Sequence, residues 1–148
     1  QAGDEELLNG LWSVMHQNRA DFTLSFRRLA DVASADGSPP AAGVETFEDL
    51  YADREAARAW LATYRARLAQ DGRSDAERAA AMNRVNPLYV LRNHLAQTAI
   101  ERAQQGDFSE VDRLLKALAA PFDERTGEDD LAAFPPDWAQ HIEISCSS

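Results

Sequence analysis

The sequence contains a single cysteine, Cys146, which lies two residues from the carboxyl terminus and is flanked by serines. One cysteine cannot close a disulfide within its own chain, which excludes a small secreted scaffold held together by disulfides. Structural cysteines usually pack inside a core, whereas chain ends are usually exposed. This thiol is therefore better placed for redox chemistry with a thiol elsewhere than for packing. The alternative is an inert thiol on a tail.

Basic residues and long apolar runs are also scarce. The 148 residues include 15 Lys and Arg against 25 Asp and Glu, for a formal net charge of -10. This balance argues against nucleic-acid binding, which needs a basic face, and against docking on an anionic membrane. No apolar run approaches the roughly 20 residues of a membrane span, and Asp4, Glu5 and Glu6 stand where a signal peptide would be basic. We therefore expect a protein of the reducing cytoplasm.

Apolar residues recur at spacings of three and four, which is typical of amphipathic helices. The pattern predicts an all-α fold, an irregular helical bundle of about five to six helices with an extended C-terminal tail. We expect the bundle to span residues 1–121 and an irregular, acidic and proline-rich tail to span residues 122–148. Capping and stop signals place helix starts near Asp4, Asp21, Ser74, Pro87 and Ser109, and a helix end at Gly72.

Residues with catalytic or metal-binding chemistry form no recognised pattern. The three histidines, His16, His94 and His141, are far apart and lack metal-ligand spacing. The acidic run of residues 128–130 lacks the spacing and glycine of a calcium loop, so a solvated loop is the simpler interpretation. We therefore predict no catalytic, cofactor-binding or metal-binding residue in this chain. Trp138, which follows two prolines, is expected to attach the tail to the helical body.

Two stretches resemble a known family. Residues 86–97, NPLYVLRNHLAQ, resemble the NPxYVLRNxLAQ segment of the selenoprotein O family, which are kinase-like protein adenylyltransferases. The end of the chain, with PPDW at 135–138 and SCSS at 145–148, is similar to the carboxyl terminus of that family. Some eukaryotic members carry selenocysteine at the position of Cys146. The resemblance covers essentially the whole chain in order.

The resemblance implies a longer parent protein. Its upstream kinase-like domain, of pseudokinase type, would bind ATP with Mg or Mn and transfer AMP to Ser, Thr or Tyr hydroxyls of protein substrates. No glycine-rich phosphate loop is present here, and Asp36-Gly37-Ser38 is predicted to lie in a loop. None of the family's nucleotide or metal residues can therefore be carried over. The resemblance predicts a C-terminal helical region without a cofactor of its own, and Gln1 in place of Met fits an excised piece.

The resemblance also implies a redox-regulatory role for Cys146, through a disulfide with a cysteine of the kinase-like domain. Arg92 and Asn93 could reach that domain, although we favour a structural role in which they satisfy buried carbonyls or a helix end. The alternative for the whole chain is an independent protein-interaction module without catalytic activity. Apolar surface that normally meets the upstream domain would be exposed here, which predicts a dimer of the isolated chain.

Overall fold

The computed structural model describes residues 3–35 and 45–141 of the chain. Every regular element within these ranges is helical, which confirms the predicted all-α class. No helix among them is both long and apolar enough to cross a membrane. The chain divides into two compact units, Gln1–Asn86 and Pro87–Ser148. The α-helices are α1 Asp4–Asn18, α2 Phe22–Leu29, α3 Arg54–Leu68, α4 Asp75–Asn83, α5 Asn93–Gln104, α6 Ser109–Ala119 and α7 Asp129–Ala132; 3-10 turns span Glu48–Leu50 and Asp137–His141.

The first unit is built around the packing of α1 against α3. The indole N–H of Trp60 on α3 donates to the carbonyl of Leu7 on α1 at 2.9 Å. A Cβ atom at Gly10 would lie only 3.1 Å from Trp60 Cδ1, so the two helices approach closely where α1 has no side chain. Phe47 and Tyr64 pack their rings against Trp60, with centroid distances of 5.7 and 5.2 Å. The indole is therefore enclosed by aromatic rings and by the backbone of α1.

Several polar groups in the first unit form hydrogen bonds inside the fold. The buried guanidinium of Arg27 donates to the carbonyls of Asn83 and Asn86, both at 3.2 Å, where α4 ends. Asp21 accepts a hydrogen bond from the Leu24 amide at the start of α2, and Ser74 forms the predicted capping box at the start of α4. The helix starts predicted at these two caps are confirmed.

The second unit places α5 against α6. Its core contains Tyr89, Ala99, Leu114, Ala117 and Leu131. Leu131 belongs to α7, so part of the segment predicted to be irregular contributes to this core.

The helix predicted to begin at Pro87 is wrong at its start. The backbone N–H groups of Leu88 and Tyr89 both donate to the carbonyl of Pro121, at 2.7 and 3.1 Å. The Tyr89 hydroxyl in turn accepts from the Arg125 amide at 3.0 Å. These contacts hold residues 87–92 out of helical geometry, and α5 begins only at Asn93. Because Pro121 and Arg125 are distant in sequence, local helix propensity did not indicate the later start of α5.

Two predicted caps are also corrected. Gly3, with φ of +92°, precedes α1, and the Asp4 side chain binds Arg67 instead of capping the helix. Ser109 is the first residue of α6, and its amide donates to the Asp107 carboxylate at 3.0 Å.

Filling the space at Gly10 is expected to destabilise the first unit. In Gly10→Leu the new side chain must displace Trp60, so the free energy of unfolding should fall by about 1–3 kcal/mol, as overpacked cores do. Asn9→Leu adds the same side chain to an exposed position of α1 and should change stability by no more than about 0.5 kcal/mol. Urea unfolding followed by circular dichroism measures both. Equal stabilities of the two variants would contradict the close approach at Gly10.

Candidate functional site

The predicted redox residue, Cys146, lies outside the residues that the structure describes. Within 3–35 and 45–141, no three His, Cys, Asp or Glu side chains are grouped so that they could hold a metal ion. Two residues of the acidic run near α7 form ion pairs within the second unit. Asp130 pairs with Arg113, and Glu128 lies 3.9 Å from Arg125. These ion pairs give the acidic run a structural role.

Arg92 and Asn93 lie at the beginning of α5. Arg92 has extended backbone dihedrals at the capping position, and its carbonyl accepts from the Ala96 amide at 3.1 Å. Asn93 is the first helical residue and is exposed. Their backbone positions define the helix start, and a contact with another domain stays a prediction for both.

Trp138 contacts α5 through His94. The two rings meet edge to face, with centroids 6.1 Å apart and planes at 89°. His94 is buried, and this burial lowers the pKa of its imidazole, with a smaller contribution from the positive charge of Arg92. Trp138 itself remains 60% exposed. Within the second unit, the 3-10 turn Asp137–His141 thus contacts α5 through this aromatic pair.

Removing the Trp138 ring is expected to raise the pKa of His94. In Trp138→Ala the imidazole gains access to water, so the desolvation that lowers its pKa is relieved and the value returns toward that of an ordinary histidine. An NMR titration of the imidazole measures this shift. Trp12→Ala, which removes an indole from the first unit, serves as the control and should leave His94 unchanged. An unaltered His94 titration in Trp138→Ala would show that Trp138 does not shield the imidazole.

The first unit carries a groove that the sequence did not predict. It has a volume of about 400 Å³, which is within the range of ligand-binding pockets. Helical spacing identified apolar stripes on α1 and α3. It did not indicate which part of these stripes is left uncovered by other helices. The apolar lining consists of Leu7, Leu8, Leu11, Phe26, Leu29, Trp60, Tyr64, Leu68 and Met82.

The charged residues around the groove are paired with one another. Arg67 Nε donates to Asp4 at 2.6 Å, and Arg73 Nε donates to Asp71 at 2.7 Å. The pKa of the Asp4 carboxyl is lowered from 3.8 to about 2, and the hydrogen bond from Arg67 is the largest cause, followed by one from the amino terminus. Acids and bases thus neutralise one another at the rim.

Arg78 is the one buried cation of the groove among the described residues that line it. Its side chain is 4% exposed, donates to Asp75 at 2.5 Å and also donates to the Val32 carbonyl. Asp75 additionally accepts from the Ser34 amide, and this bond, followed by that from Arg78, lowers the pKa of the Asp75 carboxyl. The Nε–H of Arg78 is buried and has no acceptor in the described part of the chain. A buried donor of this kind is costly unless an acceptor is supplied.

The Asp4–Arg67 pair is expected to make stability depend on pH. Because the folded pKa of Asp4 lies below its ordinary value, the stabilisation is complete above about pH 4 and is lost as the pH falls toward 2. Asp4→Asn should therefore be less stable than the parent chain near neutral pH, and the difference should shrink on acidification. Urea unfolding at a series of pH values measures it. Glu5→Gln changes net charge equally at an exposed position and provides the control; an identical pH dependence in both variants would refute the role of the pair.

The described residues thus form an all-helical region whose first unit carries a groove with a largely apolar lining. Residues 1–119 match the family model described as protein adenylyltransferase SelO, and the chain belongs to this family. The resemblance found in the sequence is thereby confirmed.

Curated relatives extend the match through the rest of the chain. The protein nucleotidyltransferase YdiU of Paraburkholderia xenovorans is 57% identical over 148 residues, which is all of this chain and 28% of that protein. The protein of the same name from Burkholderia multivorans is 57% identical over 146 residues, covering 99% of this chain and 27% of its own length. The chain thus spans little more than a quarter of these relatives.

Proposed function

We propose that this chain is the C-terminal helical region of a protein adenylyltransferase whose pseudokinase-type upstream domain transfers AMP from ATP to Ser, Thr or Tyr hydroxyls of proteins. The observation that carries the proposal is the 57% identity to a protein nucleotidyltransferase along the full chain, which accounts for only 28% of that relative. The larger remaining part of such a protein provides room for the kinase-like domain. A cytoplasmic location fits this proposal.

In this proposal the chain acts as a scaffold and the upstream domain performs the chemistry. ATP and Mg or Mn are proposed to belong to that domain, as membership of the adenylyltransferase family implies. The helical units here bury their own cores, and their exposed faces are available to other parts of the protein. No step of AMP transfer is assigned to a residue of this chain.

Cys146 is proposed to be the redox-regulatory residue of this region, and to form a disulfide with a cysteine of the upstream domain. The alignment with the Paraburkholderia relative covers the tail, whereas the match to the family model ends at residue 119. Trp138 touches α5 eight residues before Cys146. A chain of that length spans at most about 29 Å when fully extended. While Trp138 stays in contact with α5, the thiol can therefore reach only a partner thiol that lies within this distance of Trp138.

The second candidate is an independent interaction module. The observation that favours it is the exposed aromatic pair Trp12 and Phe22, whose rings stack with centroids 5.6 Å apart. Exposed apolar patches often mark protein-protein contacts. This module would bind a protein partner through the first unit alone, without the upstream domain.

The test uses the longer protein that contains this chain, with and without Cys146→Ser. Under reducing conditions both forms should transfer labelled AMP from ATP to protein at similar rates, and the 148-residue chain alone should transfer none. With added oxidant, the activity of the unsubstituted protein should change, whereas that of Cys146→Ser should stay constant, because only the unsubstituted protein can form the disulfide. Ser148→Ala is the matched control in the same tail. Identical oxidant responses of parent and Cys146→Ser would remove the redox role, and absence of AMP transfer would remove the proposed activity.

A further inference from the structure

The groove of the first unit continues into an exposed apolar surface. Leu8, at its edge, is 45% exposed. Phe26 lines the groove and also packs against Phe22 and Trp12, with ring centroids 4.9 and 5.9 Å apart. The outer two rings are 57% and 41% exposed. The combined surface is longer than the groove itself, so it suits an elongated occupant better than a compact small molecule.

The charges around the groove exclude a simple anion site. Arg67 and Arg73 are each engaged by a carboxylate, from Asp4 and Asp71 respectively. Arg78 is likewise engaged by Asp75. An anionic ligand would have to displace one of these carboxylates, at the cost of leaving it unpaired. The groove therefore favours an electrically neutral occupant.

The uncovered part of the groove is apolar. Leu8, Trp60 and Met82 are among the residues that line it. A large apolar side chain of an occupant would fill the space next to them and would remove their apolar surface from water.

The start of α1 lies at the groove. Asp4, the first residue of α1, is one of the lining residues. Polypeptide that precedes this chain in a longer protein therefore emerges beside the groove. A short tether raises the effective concentration of such a segment to the order of millimolar, so a modest intrinsic affinity suffices for occupancy.

We propose that the groove binds an uncharged segment of the same protein from upstream of Gln1, which inserts a large apolar side chain next to Leu8, Trp60 and Met82. This inference rests on the proposed function, because it requires this chain to be part of a longer protein. It adds to that function a defined docking surface between the helical region and the preceding polypeptide.

The test compares hydrogen exchange in the longer protein and in the 148-residue chain. Amides of α1 and α3 that border the groove should exchange at least about tenfold more slowly in the longer protein, because the docked segment must leave before they open. Leu8→Asp in the longer protein places a charge in the groove and should abolish most of this added protection. Leu115→Asp, at an exposed leucine of α6 in the second unit, is the matched control and should leave it intact.

Three outcomes would overturn the inference. Equal exchange of the groove amides in both proteins would show that the upstream polypeptide does not cover them. Protection in the 148-residue chain that increases with its concentration would assign the groove to a second copy. Protection that survives Leu8→Asp would place the contact elsewhere. AMP transfer is measured on the same samples. If the longer protein transfers AMP but its groove amides exchange as fast as in the 148-residue chain, the docking is refuted and the proposed activity stands. If the groove amides are protected but no AMP is transferred, the proposed activity is refuted and the docking stands.

Discussion

The first unit depends on the position of Trp60. Its N–H is bound to the Leu7 carbonyl, its ring lies against the backbone at Gly10, and Phe47 and Tyr64 enclose the rest. An indole offers both a large apolar surface and one hydrogen-bond donor, and both must be satisfied when it is buried. Here the same helix, α1, satisfies the donor and supplies the small residue that lets the ring approach. The distance between α1 and α3 is thereby set by one side chain, and the groove beside Trp60 has a rigid wall.

That rigid wall explains how a groove can persist next to a packed core. Protein interiors are close-packed, and an apolar space normally closes when nearby side chains relax into it. Relaxation of Trp60 would break its bond to Leu7, and relaxation of Arg78 would expose its bonds to Asp75 and Val32. Two of the side chains that border the groove, Trp60 and Arg78, are therefore held in place by polar contacts. Such a surface is preorganised, so an occupant does not have to order it on binding.

Local signals in the sequence predicted the helices well where the determinants are close in sequence. The caps at Asp21 and Ser74 act on amides three residues away, and both were found where the sequence placed them. The start of α5 was wrong because Leu88 and Tyr89 donate to Pro121, which is more than thirty residues away and gives no local signal. The groove was missed for the same reason. Helical periodicity shows which face is apolar, but the uncovered part depends on how several helices pack.

The segment that most resembles the family has a structural role in this chain. Within NPLYVLRN, the Tyr89 ring is buried and its hydroxyl binds the Arg125 amide, while two amides of the segment bind one carbonyl of Pro121. These contacts join the start of the second unit to the end of α6. A substitution that removes the Tyr89 hydroxyl would deprive the Arg125 amide of this acceptor, which is costly where the group is shielded from water. The contacts of Tyr89 and Leu88 therefore give this segment a role in the packing of the second unit.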